Sequence, residues 1–201
     1  IFGLIGAVGE VGGQRLACPL AFERVHPKDT RESRLWQDLL RWAKRHLADD
    51  DLAVMDAGVR LADVQAAELE CYVLRLATNF TARRNRPLPY GGKGRRPVYG
   101  EKIRPLGRSY KGKTIAASAP DRVETWTEAG VELRAEIWEE LILPGIIPGP
   151  QAKTFRVYAI YDPDYTAPWL LATPLNRSGA LPGAADPGSR CGRAAIWYPR
   201  R

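Results

Sequence analysis

Between residues 14 and 25 apolar and polar positions alternate, with Leu16, Cys18, Leu20 and Phe22 on one face, as a half-buried strand requires. Residues 1–9 read as its partner, and Glu10-Val11-Gly12-Gly13 as the turn of a β-hairpin. Pro19 lacks an amide donor, which argues for an edge position or a bulge. The period then lengthens. Over residues 31–47, Leu35, Trp36, Leu39, Leu40, Ala43 and Leu47 form one helical stripe, while Arg34, Gln37, Asp38, Arg41 and Lys44 point mostly elsewhere. Asp29 or Thr30 is the expected N-cap. The uninterrupted run Leu52-Ala53-Val54-Met55 predicts a buried strand that stops on Asp56, with Ala57 and Gly58 behind it. A short helix is expected over 61–70, with Asp63 and Glu68 facing solvent, and a second apolar strand over 71–76.

Past residue 76 the character changes. Residues 77–113 are rich in Gly, Pro, Arg and Lys, with Tyr90, Tyr99 and Tyr110 interspersed. Residues 121–143 alternate again, setting Val131, Leu133, Ala135 and Ile137 against Glu132, Arg134, Glu136 and Trp138. Two further strands, 155–161 and 169–173, are joined by Asp162-Pro163-Asp164-Tyr165. From 176 to 201 neither period persists. The pattern therefore predicts an α/β core over 1–76, a basic loop and β-rich insertion over 77–175, and an irregular tail over 176–201.

Charge sharpens this division. The chain has 30 Lys and Arg against 23 Asp and Glu, a formal +7. Residues 82–113 alone hold eleven bases and one acid, Glu101, leaving the remainder with 19 bases and 22 acids. A local concentration of this kind is the footprint of a polyanionic partner. The candidate phosphate-binding side chains are Arg83, Arg84, Arg86, Lys93, Arg95, Arg96, Lys102, Arg104, Arg108, Lys111 and Lys113. No apolar run approaches the ~18–20 residues of a membrane span, and no signal-peptide pattern is present, so a cytoplasmic protein without a membrane partner is expected. Cys18, Cys71 and Cys191 are too far apart for a zinc or redox motif and read as reduced, mostly buried thiols.

Asp56 is the principal candidate for chemistry: a carboxylate at the C-terminal end of a strand, where open α/β sheets place ligands. Together with the basic segment it suggests metal-assisted chemistry on a phosphodiester backbone. Other features have simpler readings. Asp49-Asp50-Asp51 reads as a solvated turn and Asp162-Pro163 as a turn starter. His26 and His46 are too isolated for a metal or acid–base pair and suit surface or capping positions. Trp36 is expected in the core, and Trp126, Trp138 and Trp169 in insertion packing.

Three stretches, in order, resemble the catalytic domain of insertion-sequence transposases with the Asp-Asp-Glu triad. They are Val54-Met55-Asp56-Ala57-Gly58, the strand pair Val157–Pro163 with Pro168–Thr173, and Tyr198 separated by two residues from Arg201. The resemblance implies a ribonuclease-H-like mixed sheet with a β-rich insertion, covering residues 1–175 with an echo at the end. It implies that Asp56 is the second catalytic Asp and a ligand for Mg²⁺ or Mn²⁺, and that Tyr198 and Arg201 help hold DNA. It implies double-stranded DNA, both transposon ends and target, as partner, a nucleoid-associated location, and room for a homodimer in the complete protein. On this resemblance the other two carboxylates are expected before Ile1 and just beyond Arg201, so the chain reads as a fragment and as inactive alone. Two rivals stand beside it: a non-catalytic DNA-binding remnant, and another ribonuclease-H-like nuclease.

Overall fold

A computed structural model describes residues 2–11, 14–24, 32–48 and 51–174. The expected cap at Asp29 or Thr30, together with His26, Asp49, Asp50, Cys191, Tyr198, Arg201 and the tail, lies outside these residues. The chain divides into two compact units, parted between Tyr72 and Val73, slightly ahead of the boundary expected after residue 76.

The first unit opens with β1 (Phe2–Val11) and β2 (Gln14–Arg24), an antiparallel hairpin. Its register slips once: Ile5 pairs with Ala21 but Gly6 with Pro19, so Leu20 is the extra residue of a bulge beside the proline. Because side chains alternate, the bulge undoes the single apolar face expected from sequence. Leu16 and Cys18 pair with Gly9 and Ala7, whereas Phe22 pairs with Leu4 on the opposite face. Leu4, Val8, Leu16, Leu20 and Phe22 are all exposed, and so is Cys18, contrary to the buried thiol expected there.

The helix α1 (Glu32–His46) packs against both hairpin strands through the predicted stripe, with Leu35, Leu39, Leu40 and Ala43 buried and Trp36 half-buried. Lys44, Arg45 and His46 occupy its last turn, where cations complement the helix dipole. His46 stacks on Trp42 with ring centroids 4.4 Å apart, its Nδ1 lies 2.8 Å from the Trp42 carbonyl, and the ring takes the surface position expected. Next come β3 (Ala53–Met55) and α2 (Leu61–Ala66). The β3 strand is shorter and wetter than the buried strand expected, since Val54 is 47% exposed. The α2 helix stops four residues early, where Glu68 adopts φ 58°.

Asp63 is the clearest reversal in this unit. Expected on the solvent side of α2, it is buried, accepting from Arg60 Nε at 2.7 Å, Arg60 Nη2 at 2.9 Å and Gln37 Nε2 at 3.1 Å. The carboxylate thus ties α2 to α1, and the hydrogen bonds from Arg60 hold its pKa below the ordinary aspartate range.

In the second unit β4 (Tyr72–Arg75), β5 (Ala82–Pro87), β6 (Gly100–Ile103), β7 (Arg108–Tyr110), β8 (Lys113–Ile115), β9 (Arg122–Glu128), β10 (Val131–Ile142), β11 (Phe155–Tyr161) and β12 (Trp169–Pro174) follow in turn. The main sheet runs β4-β12-β11-β10-β5-β6, with β9 also paired to β10 and every one of these pairings antiparallel. The expected single alternation over 121–143 is therefore two strands, turned at Ala129 (φ 49°) and Gly130 (φ 82°). The segment 77–113, expected as a basic loop, contributes three strands of its own, β5 to β7, and opens a fourth, β8. The protein is mixed α/β, with twelve strands and two helices among the described residues.

The core of this unit lies along β10, β11 and β12. Trp138, Leu141, Ile142, Phe155, Val157 and Ala172 are fully buried, and the near-continuous burial of β11 marks it as central. Gly100 sits where β6 meets β5: a Cβ there would lie 2.1 Å from the Arg84 carbonyl oxygen and 2.5 Å from that of Arg86.

Two measurements test these assignments. Gly100→Ala forces two backbones apart, so it should lower the urea unfolding free energy by about 1–3 kcal/mol, the usual cost of overpacking; no change would mean the β5–β6 contact is looser than described. Asp63 has a depressed folded pKa, so its contribution to stability is present above the unfolded value near ~3.9 and lost as pH falls through the folded one. Asp63→Asn should therefore flatten the acid limb of a stability–pH curve, and an unchanged limb would contradict the tie.

Candidate nucleic-acid interface and the Asp56 carboxylate

Asp56 immediately follows β3 and is exposed, as are Ala57 and Gly58. Its carbonyl accepts from the Val59 amide at 3.1 Å, closing the turn that carries the chain towards α2. No three His, Cys, Asp or Glu side chains among the described residues gather into a group able to hold a metal ion, so Asp56 belongs to none. Asp162 behaves as its bland reading predicted, its Oδ1 accepting the Asp164 amide at 3.0 Å in a local turn.

The eleven basic candidates, all in the second unit, separate into two sets. Three are taken up by the fold. Arg84 donates to both oxygens of Asp121, at 2.5 and 2.6 Å, and Nη1 also donates to the Glu139 carbonyl at 2.9 Å. Arg83 donates to the Gly100 carbonyl at 2.8 Å and lies over the Tyr99 ring, 5.1 Å from its centroid. Arg104 is half-buried, with its Nε enclosed. The other eight, Arg86, Lys93, Arg95, Arg96, Lys102, Arg108, Lys111 and Lys113, are exposed.

The Arg84–Asp121 pair repairs a gap in the sheet. Along one edge of β10, β9 serves as partner as far as Ile137 and β5 takes over at Leu141. Between them β10 bulges, with Glu139 and Glu140 set against the single residue Arg156 of β11 and Glu140 at φ 49°. Arg84 takes the Glu139 carbonyl, and Asp121 accepts the Glu139 amide at 2.8 Å, so two side chains complete the ladder. Burial pushes the Asp121 carboxyl up, but hydrogen bonds from Arg84 and the Glu139 amide, with the Arg84 charge, outweigh it and hold the pKa low. The Glu139 carboxylate meets Arg156 at 3.1 Å and Arg122 at 3.5 Å.

A crevice of about 320 Å³ opens here, lined by Arg84, Arg86, Glu101, Asp121, Glu139 and Glu140 among others. Four carboxylates against two guanidinium groups make it a poor berth for phosphate. Apart from Arg86, which lines this crevice from β5, the exposed cations lie on β6, in the loop between β5 and β6, and on the small β7–β8 ribbon. Sequence reasoning found all of these cations but had no signal for the pairing of Arg84 with Asp121, 37 positions away.

Compared with known proteins, the chain matches no family model, no curated protein and no solved structure.

Arg84 and the exposed bases are separable by experiment. Arg84→Ala strands Asp121 and the Glu139 carbonyl, so it should cost about 1–3 kcal/mol of stability in urea unfolding. Lys93→Ala, an exposed loop change, should stay within about 0.5 kcal/mol. Equal effects would return Arg84 to the surface set.

Proposed function

We propose that this chain is the catalytic region of a transposase of the Asp-Asp-Glu class, acting on double-stranded DNA to cleave a strand and transfer it. The single observation that carries the reading is Asp56, held exposed directly after β3 at the turn towards α2. The order hairpin, helix, strand with Asp, helix, strand, followed by a strand-rich segment, supports a ribonuclease-H-like core with an insertion. Among the described residues no helix is long and apolar enough to cross a membrane. A protein acting on chromosomal DNA belongs in the cytoplasm with the nucleoid.

The exposed cations support DNA as the partner. Lys and Arg on β5, β6 and the adjoining turns contact phosphates, which fixes position on a duplex without reading sequence. If all eight exposed bases each neutralise one phosphate, log affinity falls with log salt at a slope of about −7. Arg83 and Arg84 are bonded within the fold and Arg104 is half-buried, so these three add to the field without contributing such contacts.

In this reading Asp56 ligates Mg²⁺ or Mn²⁺. Two divalent ions would activate the attacking oxygen and stabilise the leaving one, which takes several converging oxygen ligands. Asp56 alone does not meet that requirement, and among the described residues no group of three acids forms. These residues therefore do not fit a two-ion centre. That same observation favours a second reading, a DNA-binding transposon remnant in which the basic segment acts and Asp56 does not. Another nuclease of ribonuclease-H-like fold would need the same missing ligands.

Binding to a duplex, followed from about 50 to 200 mM salt, should weaken by orders of magnitude. Affinity that stays flat would overturn the DNA reading. With Mg²⁺ or Mn²⁺ the 201 residues alone should leave DNA uncut; metal-dependent nicking that persists in Asp56→Ala would remove Asp56 from the chemistry.

A further inference from the structure

The eight exposed cations are not equivalent. Three of them sit on the β7–β8 ribbon, which departs from the rest of the second unit in three respects. From 102 to 120 the chain carries five bases and no acid. The excursion is pinched at its neck, where the Ser118 amide donates to the Arg104 carbonyl at 2.7 Å and the Arg104 amide to Ser118 Oγ at 3.0 Å. The neck is also fastened to the core: Pro105 is fully buried beside it in sequence, and the buried Trp138 donates its indole N–H to the Ala119 carbonyl at 2.9 Å.

Beyond the neck, β7 and β8 form their own two-stranded sheet, pairing Arg108 with Ile115, Ser109 with Thr114 and Tyr110 with Lys113. A two-residue turn closes it, with Lys111 at φ 49° and Gly112 at φ 73°, the conformation that matches the strands' own twist. Side-chain alternation then sorts the ribbon into two faces. Arg108, Tyr110 and Lys113 share one face, Ser109 and Thr114 the other, and Lys111 stands at the tip. Tyr110 is 57% exposed, and the Lys111 ammonium lies 5.5 Å from its ring centroid. A merely solvated loop needs neither a buried tryptophan holding its base nor an aromatic ring kept in water.

We propose that the β7–β8 ribbon enters the major groove of duplex DNA; this rests on the DNA reading above. Paired strands lie about 4.8 Å apart and three residues of strand span about 10 Å. The major groove, about 12 Å wide and 8.5 Å deep, admits a two-stranded ribbon without distortion, whereas the minor groove, about 6 Å wide, would have to be widened. Arg108 and Lys113 reach one flanking phosphate strand from the basic face, and Lys111 leads. Ser109 and Thr114 turn their hydroxyl groups to base edges or to the opposite phosphates, and Tyr110 packs against the groove wall. The cations of the β5–β6 loop, Lys93, Arg95 and Arg96, contact phosphates from outside.

The test uses the whole chain, with anisotropy titrations against three duplexes: plain B-form DNA, the same DNA carrying glucosylated 5-hydroxymethylcytosine, whose sugar fills the major groove, and A-form RNA. The wild type should prefer plain DNA over the other two by about tenfold or more, because the RNA major groove is too narrow to enter. A ribbon variant (Arg108→Ala, Lys111→Ala, Lys113→Ala) should lose that preference, while a loop variant (Lys93→Ala, Arg95→Ala, Arg96→Ala) should keep it. Each variant should lower the salt slope by about three. Lys111→Asn, which tolerates a positive φ, should lower the preference in part and serves if the triple change does not fold. Equal wild-type affinity for plain and glucosylated DNA, or tighter binding to RNA, would overturn the ribbon assignment and leave phosphate binding standing. Salt-independent or absent binding to every duplex would instead defeat the DNA reading itself.

Discussion

Glu139 sits on the longest strand of the sheet at the point where that strand changes partners. A backbone amide or carbonyl screened from water and left without a hydrogen bond is costly, so at half-buried Glu139 the gap between β9 and β5 calls for substitute partners. Arg84 and Asp121 answer it together: one supplies a donor to the carbonyl, the other an acceptor to the amide, and each satisfies the other. The pair also joins the end-on strands through side chains. A planar guanidinium with its fork of donors suits this task in a way an ammonium does not.

That constraint organises the rest of the second unit. With β5 fixed on β10, β6 pairs with β5 at Ala82–Ile103 and Arg83–Lys102, and at Gly100 the missing Cβ lets the two backbones meet closely. With β9 fixed on the same edge, the chain between β6 and β9 is left over, and it emerges as the excursion pinched at Arg104 and Ser118. Trp138, one residue before the repaired gap, holds that excursion from beneath. A single irregularity in the ladder thus precedes both the crevice rich in carboxylates and the projecting basic ribbon.

Much of the fold was legible in local periodicity. The helix α1 and strand β10 carry the repeats of three to four and of two residues that water imposes on a half-buried element, and β11 and β12 announce themselves as short apolar runs. What the sequence concealed depended on partners far along the chain. Asp63 looked like a solvent residue on a short helix until Gln37 and Arg60 closed on it. Arg84 looked like its basic neighbours until Asp121 met it, and β5 to β8 were hidden by a composition that reads as loop. For the candidate site, position and charge were readable from the chain; the sorting of eleven cations into three internal and eight exposed was not, because it follows from tertiary pairing.

The bulge at Leu20 has a consequence for how the first hairpin meets its surroundings. One inserted residue exchanges inside for outside on everything beyond it, so Phe22 and Leu16 look in opposite directions. A ribbon greasy on one side can serve as the outer wall of a globule. One that is greasy on both, as this hairpin is, has the character of a filling between two layers, and among the described residues α1 supplies one of them.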